Sequence, residues 1–146
     1  MLPKPLQEQL DNLAFFESRQ DRIEALIALG DEYRNEPIPD VPRDAQHRVP
    51  ACESEVYVDS QPLGVGLKFR FAVDNPQGIS AMALARILDE GLSGVPLDQI
   101  RQVPEGLVYT IFGNELSMGK SAGLMGMVQK VKSEAAGFLS SKERAG

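Results

Sequence analysis

Ser54-Glu-Val-Tyr-Val-Asp-Ser-Gln-Pro-Leu-Gly-Val-Gly-Leu-Lys-Phe-Arg-Phe-Ala-Val73 decides the fold class of this chain. In residues 54–60, Val56 and Val58 share one face, and Glu55, Tyr57 and Asp59 share the other. In residues 64–73, Val65, Leu67, Phe69, Phe71 and Val73 face one way, and Gly66, Lys68, Arg70 and Ala72 the other. A period of two with one apolar face marks a half-buried strand. The connection Ser60-Gln61-Pro62-Leu63-Gly64 is short and turn-rich, so the two runs predict an antiparallel hairpin.

The flanking sequence changes period. Leu6, Leu10 and Leu13 recur at helical spacing behind Pro5, which suits a first helical position, and predict a helix over 5–16. Ser18 as N-cap opens a second helix over 19–34, whose stripe Ile23, Leu26, Ile27, Gly30 and Tyr33 is expected in the core. Four prolines within 35–50 (Pro37, Pro39, Pro42 and Pro50) forbid a helix there, and Ile38, Val41 and Val49 make the segment too apolar for a free linker. It reads as an ordered loop that delivers the chain to Cys52. After the hairpin, Asp74-Asn75-Pro76-Gln77-Gly78 is a turn. It leads to a helix over 79–93 with Ile79, Met82, Ala83, Leu84, Ile87 and Leu88 as its apolar face. A short helix follows over 97–102. Residues 104–113 fit a helix or a buried strand equally by periodicity. A final helix is predicted over 121–139, with Leu124, Met127, Val128, Val131 and Phe138 inward. The result is one domain over 1–146, with tails at about 1–4 and 141–146 expected to be flexible. The fold class is α+β, a small antiparallel sheet covered on one face by helices.

Composition narrows the function. The chain has 146 residues, with 15 Lys+Arg against 21 Asp+Glu, a net charge of −6. An acidic chain with 6% aromatics and no Trp is poorly suited to phosphate backbones or stacked bases, so no nucleic-acid partner is expected. From Asn114 onward the net charge is +2, which leaves −8 on the remainder, so a partner of the main body is expected to present a basic face. One Cys and one His exclude an intramolecular disulfide and a self-contained Cys/His metal cage. No run approaches a membrane span and the N-terminus lacks a signal-like apolar stretch, so a cytoplasmic protein with a reduced thiol is expected.

Cys52 is the leading chemical group. It lies between the Pro-rich loop and the first strand, in Arg48-Val49-Pro50-Ala51-Cys52-Glu53-Ser54. Loops present reactive side chains, and Arg43, His47, Arg48, Lys68 and Arg70 lie close enough in sequence to favour a thiolate, against Glu53 and Glu55. The bland alternative is a buried, inert Cys. A Cys–His hydrolase built on His47 is disfavoured, since such pairs come from distant segments with a third orienting group. Gly119-Lys120-Ser121 misses the phosphate-loop spacing from Gly113 by one residue and reads as a helix start. Met118, Met125 and Met127 read as core fillers or an adaptable docking surface.

The segment Val49-Pro50-Ala51-Cys52-Glu53-Ser54-Glu55-Val56-Tyr57 resembles the SufE family, whose signature is roughly Gly-Cys-x-Ser-x-Val followed by an aromatic. Cys52, Ser54, Val56 and Tyr57 match, and Ala51 stands where the family has Gly. The resemblance extends through Asp74, Gly91-Leu92-Ser93-Gly94 and Leu116-Ser117-Met118-Gly119-Lys120-Ser121-Ala122-Gly123-Leu124, about residues 8–135. It implies a fold similar to IscU-type scaffolds. It also implies a sulfur acceptor that takes sulfane sulfur from a pyridoxal-phosphate cysteine desulfurase (SufS-like) as a persulfide on Cys52. The sulfur then passes to an iron–sulfur scaffold, SufBCD-like or IscU-like. On this reading the chain binds no cofactor, since pyridoxal phosphate belongs to the partner, and it has no turnover of its own. Arg48, Ser54, Asp74 and Lys120 are the expected site neighbours. Lys120 replaces an Arg of the family and keeps the charge without the planar fork. A Gly-to-Ala change at 51 is expected to rearrange the loop if that position needs positive φ. A loop that tucks Cys52 away and swings it out, hinged at Pro50 and the hairpin start, would shield a carried persulfide. Two alternatives remain. One is a non-covalent regulator docked on a desulfurase. The other is an iron–sulfur scaffold, which would need cluster sharing between chains.

Overall fold

A computed structural model describes residues 2–114 and 116–145. Its order is α1 (Lys4–Ala14), α2 (Arg19–Asn35), β1 (Val56–Leu63), β2 (Gly66–Val73), α3 (Ile79–Leu92), α4 (Leu97–Arg101), α5 (Leu107–Phe112) and α6 (Met118–Ala145). The two strands pair antiparallel, from Val56 opposite Val73 to Leu63 opposite Gly66. β1 starts two residues later than expected and runs three further, to Leu63, while β2 starts two residues later, at Gly66, so the turn shifts to Gly64-Val65. Gly64 alone of these two has positive φ (57°), the pattern of a type II′ turn, which matches the twist of the strands it joins.

Register sorts the hairpin into two faces. Val56, Val58, Leu67, Phe69, Phe71 and Val73 point inward and are buried. The outward face carries the Asp59–Arg70 pair, with Arg70 Nε 2.8 Å from Asp59 Oδ1. Val65, expected inward, sits in the turn and is 67% exposed. Ala72, expected outward, is fully buried, because the Pro-rich segment folds across this face. Arg70 reaches the Asp40 carbonyl at 3.4 Å, and the Arg43 guanidinium lies 5.5 Å from the centre of the Tyr57 ring.

Both edges of the sheet are occupied. On β1, Val49 N–H donates to Val56 O (2.8 Å) and Val58 N–H donates to His47 O (2.9 Å), a short third-strand-like pairing. Pro62 removes a donor further along. On β2, Gly94 N–H donates to Leu67 O, Phe69 N–H donates to Ser93 Oγ, and the Tyr33 hydroxyl both donates to Phe71 O and accepts from Val73 N–H. A third strand at 104–113 would therefore find no partner. The segment forms α5 instead, which satisfies its own backbone and stops at Gly113 (φ 88°).

Helix α3 is the core helix. Ala81–Ala85, Ile87, Leu88 and Leu92 are all buried, with α1, α2, α6 and the inner face of the hairpin packed around it. Helix α2 covers it through a narrower strip than the sequence predicts. Leu26 and Gly30 are buried, whereas Ile23 and Ile27 are about two-fifths exposed (39% and 42%). At Gly30 the helix comes close to α3, where a Cβ would stand 3.1 Å from Ile79 Cγ2, and Ala25, Leu29 and Tyr33 extend the covered side. Helix α6 begins three residues earlier than expected and runs on to Ala145, past the expected end at 139. Its Leu124, Met127, Val128 and Val131 close the core under α4 and α5.

Tyr33 gives a first prediction. Tyr33→Phe removes one donor and one acceptor from a covered sheet edge and strands Val73 N–H. The expected loss is about 2 kcal/mol, the penalty for a buried unpaired polar group, read by chemical denaturation. An unchanged stability would mean that water replaces the hydroxyl.

Candidate functional site

Cys52 sits on a loop of six residues closed at its base by the Val49–Val56 hydrogen bond. Inside it, Glu55 N–H donates to Cys52 O (3.3 Å). The far limb is tied to the turn after β2, where Asp74 N–H donates to Glu55 O and Asn75 N–H to Ser54 O, both at 3.1 Å. Two non-glycine residues bracket the thiol in the left-handed region, Ala51 (φ 59°) and Glu55 (φ 54°). Each costs an L-residue roughly 1–2 kcal/mol, so the hydrogen bonds and packing around the loop must hold it in place. Position 51 thus takes positive φ with a Cβ present, the conformation that a glycine would adopt without strain.

The thiol is 7% exposed and faces a cleft of about 320 Å³ between the starts of α3 and α6. Cys52, Glu53 and Ser54 form one wall, Ser80 and Ala81 of α3 a second, and Ser117, Lys120 and Gly123 with their neighbours the third. Burial pushes the Cys52 thiol above its ordinary pKa. Hydrogen bonding from Ser54 and Val56 and the positive charge of Arg48 pull the other way without winning. Alkylation of Cys52 by iodoacetamide is therefore expected to reach half its maximal rate at a higher pH than free cysteine. A midpoint below the free thiol would show that the cations dominate. The folded thiol also keeps its proton to higher pH than the unfolded one. Its contribution to stability is complete below the unfolded pKa and is lost as pH climbs through the folded value.

The sequence-predicted neighbours divide. Ser54 and Lys120 line the cleft with Cys52. Arg48 acts on the thiol through its charge, from an exposed position on the approach to the loop. The Asp74 carboxylate is taken up by Arg43, whose Nε and Nη2 lie 2.9 and 3.0 Å from its two oxygens. Arg43 also donates to the Val41 carbonyl and stacks on Tyr57. Asp74 thus serves the loop from behind, by its backbone bond to Glu55. His47 is paired with Asp44, Nδ1 to Oδ1 at 2.6 Å, and does not line the cleft. Ser80 carries no signal in the sequence. Only the turn that brings the start of α3 beside the Cys loop places it there. Of the methionines, Met127 is buried, whereas Met118, 89% exposed, stands at the start of α6 beside the cleft.

A single thiol recessed on a braced loop between a hairpin and two helix starts defines a one-cysteine α+β domain. The comparisons with known proteins agree. Residues 7–135 match the SufE family, described as an Fe-S metabolism associated domain, and the chain belongs to that family. A relative, an uncharacterized SufE-like protein of Rhizobium meliloti (strain 1021), is 29% identical, over 92% of this chain and 96% of its own. The solution structure of a hypothetical protein from Thermus thermophilus shares the fold with a TM-score of 0.76 at 20% identity, over 96% of this chain and 99% of the other. Among the described residues, no helix is long and apolar enough to cross a membrane, and no three His, Cys, Asp or Glu side chains gather as a metal site.

Proposed function

We propose that this protein accepts sulfane sulfur from a cysteine desulfurase as a persulfide on Cys52 and hands it on to iron–sulfur cluster assembly. The observation that carries the reading is the chain's one thiol, recessed in a cleft it shares with Lys120, in a member of a family associated with Fe–S metabolism. The transfer is a thiol exchange. The Cys52 thiolate attacks the terminal sulfur of the donor's Cys–S–SH. The donor's S–S bond breaks, its cysteine leaves as a thiolate, and Cys52 becomes Cys–S–SH. The sulfane sulfur keeps its oxidation state, and no outside oxidant or reductant is consumed. A second exchange of the same kind passes it to a thiolate of the scaffold. Burial protects the persulfide between the two steps. In-line attack needs the loop to rise, turning at Ala51 and Glu55, where the backbone is already strained.

Intact mass measurement after incubation with a desulfurase and cysteine, without reductant, tests this. The expected result is a gain of one sulfur mass on the folded chain, removed by dithiothreitol. Tight binding of the desulfurase with no mass gain would overturn it.

A further inference from the structure

The depth of Cys52 is set from the opposite side of the cleft. Helix α6 passes behind the Cys loop at Gly123 and Gly126, one turn apart on the same face, and both are buried. A Cβ on Gly123 would stand 3.1 Å from Cys52 Cα, 3.2 Å from the Ala51 carbonyl oxygen and 3.4 Å from Cys52 Cβ. A Cβ on Gly126 would stand 3.0 Å from Val49 Cγ1 and 3.1 Å from the Pro50 carbonyl oxygen. The nearest neighbours of Gly123 are backbone, which cannot swing aside as the end of a flexible side chain can. The glycine face is also local. Gly119 and Gly137, on the same helix, meet nothing within 4 Å. Close packing therefore confines the requirement for a missing side chain to the part of α6 that touches residues 49–52.

The opposite side of the loop is fixed as well. Ser54 rests against Gly78, ahead of α3, where a Cβ would meet the Ser54 Cβ and Oγ at 2.9 Å. The loop lies in a slot, and on its α6 side the close approach is to the backbone of the thiol residue itself.

We infer that Gly123 is a positioning residue: by lacking a side chain it lets Cys52 lie flush on α6, and so governs how long a sulfur held there is kept from solvent reductants. The inference rests on the reading of Cys52 as the sulfur-bearing atom. It makes α6 a participant in the chemistry without touching the reacting atoms. In Gly123→Ala the methyl lifts residues 51–52 toward the cleft mouth. The thiol becomes better solvated, and a persulfide on it is more accessible to thiols. Release by dithiothreitol is a reduction: the outer sulfur leaves as hydrogen sulfide, Cys52 returns to the thiol, and dithiothreitol closes to its disulfide.

Two readouts follow. The charged groups around the thiol are Arg48 and Glu53 on its own segment and Lys120 on α6; α3 presents Ser80 and Ala81, neither titratable. The substitution changes none of these charged side chains, so a changed pH profile reports the thiol's solvation together with its hydrogen bonds from Ser54 and Val56. Alkylation of unloaded Gly123→Ala by iodoacetamide is expected to shift its midpoint to lower pH. Below the midpoint its rate should exceed wild type by up to about tenfold, the change in thiolate fraction for one pKa unit. After loading by a desulfurase, loss of the extra sulfur to dithiothreitol should be several-fold faster than in wild type. Gly137→Ala, on the same helix with open space, is expected to match wild type in both. An unchanged alkylation profile in a folded Gly123→Ala protein would overturn the inference, since the helix would then have absorbed the methyl. If that variant does not fold, Gly126→Ala makes the same test against Val49 and Pro50. If wild type itself takes up no sulfur, the carrier reading fails, while the alkylation profile still decides the role of Gly123.

Discussion

On the proposed carrier function, in which wild type would speed a cysteine desulfurase by removing its sulfur, Cys52→Ser is expected to give a folded protein that binds the enzyme, gains no sulfur mass and gives no acceleration. The substitution nearly preserves volume at a site 7% exposed, and the Ser54 side chain, which hydrogen-bonds the thiol, remains a partner for the new hydroxyl. The stability change should stay within about 1–2 kcal/mol, the range for burying a hydroxyl that finds a partner. The chemical change is absolute. The chain has one cysteine, so no other thiolate can attack a persulfide sulfur, and a serine hydroxyl does not ionise in the accessible pH range. The measurement is desulfurase turnover with wild type and variant at matched occupancy, beside intact mass. Loss of stimulation with binding retained is the carrier outcome. Retained stimulation without a mass gain would replace the carrier with a non-covalent regulator. Lys120→Ala should behave differently. It removes a charge from the cleft wall and leaves the nucleophile, so transfer should slow and not stop.

How much of this was legible in the sequence follows from which forces are local. The hairpin was, because strand alternation is written in adjacent residues: Val56, Val58, Leu67, Phe69, Phe71 and Val73 all face inward as read. The Ser18 cap was too, its hydroxyl accepting from Asp21 N–H at 3.0 Å. What failed depends on contacts between distant segments. Ile23 and Ile27 share helical spacing with Leu26, yet only Leu26 is buried, because how α2 lies on α3 is set by packing between the two helices. Ala72 is buried by the Pro-rich segment, which no periodicity relates to β2. The site divides in the same way. Cys52, its neighbour Ser54 and the lysine on α6 could be named from motif and resemblance. That Asp74 is spent on Arg43, that Ala51 holds a left-handed φ, and that α6 offers the loop a glycine surface are facts of tertiary packing.

The glycines of the hairpin give the largest expected effect on stability, and the two differ in kind. Gly64 needs its φ of 57° and has open space around it. Gly64→Ala should cost about 1–2 kcal/mol, the backbone penalty alone. Gly66 has no positive φ, yet a Cβ there would fall 2.2 Å from the Val95 carbonyl oxygen, 2.9 Å from Gly94 C and 3.0 Å from Val95 C. All three atoms are backbone of the segment that caps the β2 edge, where Gly94 N–H binds Leu67 O and Ser93 Oγ receives Phe69 N–H. The methyl must push that segment off the strand. Overpacking at about 1–3 kcal/mol then adds to a lost edge hydrogen bond of similar size, so Gly66→Ala should lose about 3 kcal/mol or more. For a chain of this length that is a fall in Tm of roughly 10 °C, against a few degrees for Gly64→Ala. The same displacement would propagate through Ser93 to Asp89, which its hydroxyl binds at 2.7 Å, and so into the last turn of α3. Equal Tm values for the two variants would mean that residues 93–95 yield freely, and that the edge of β2 is not held by this contact.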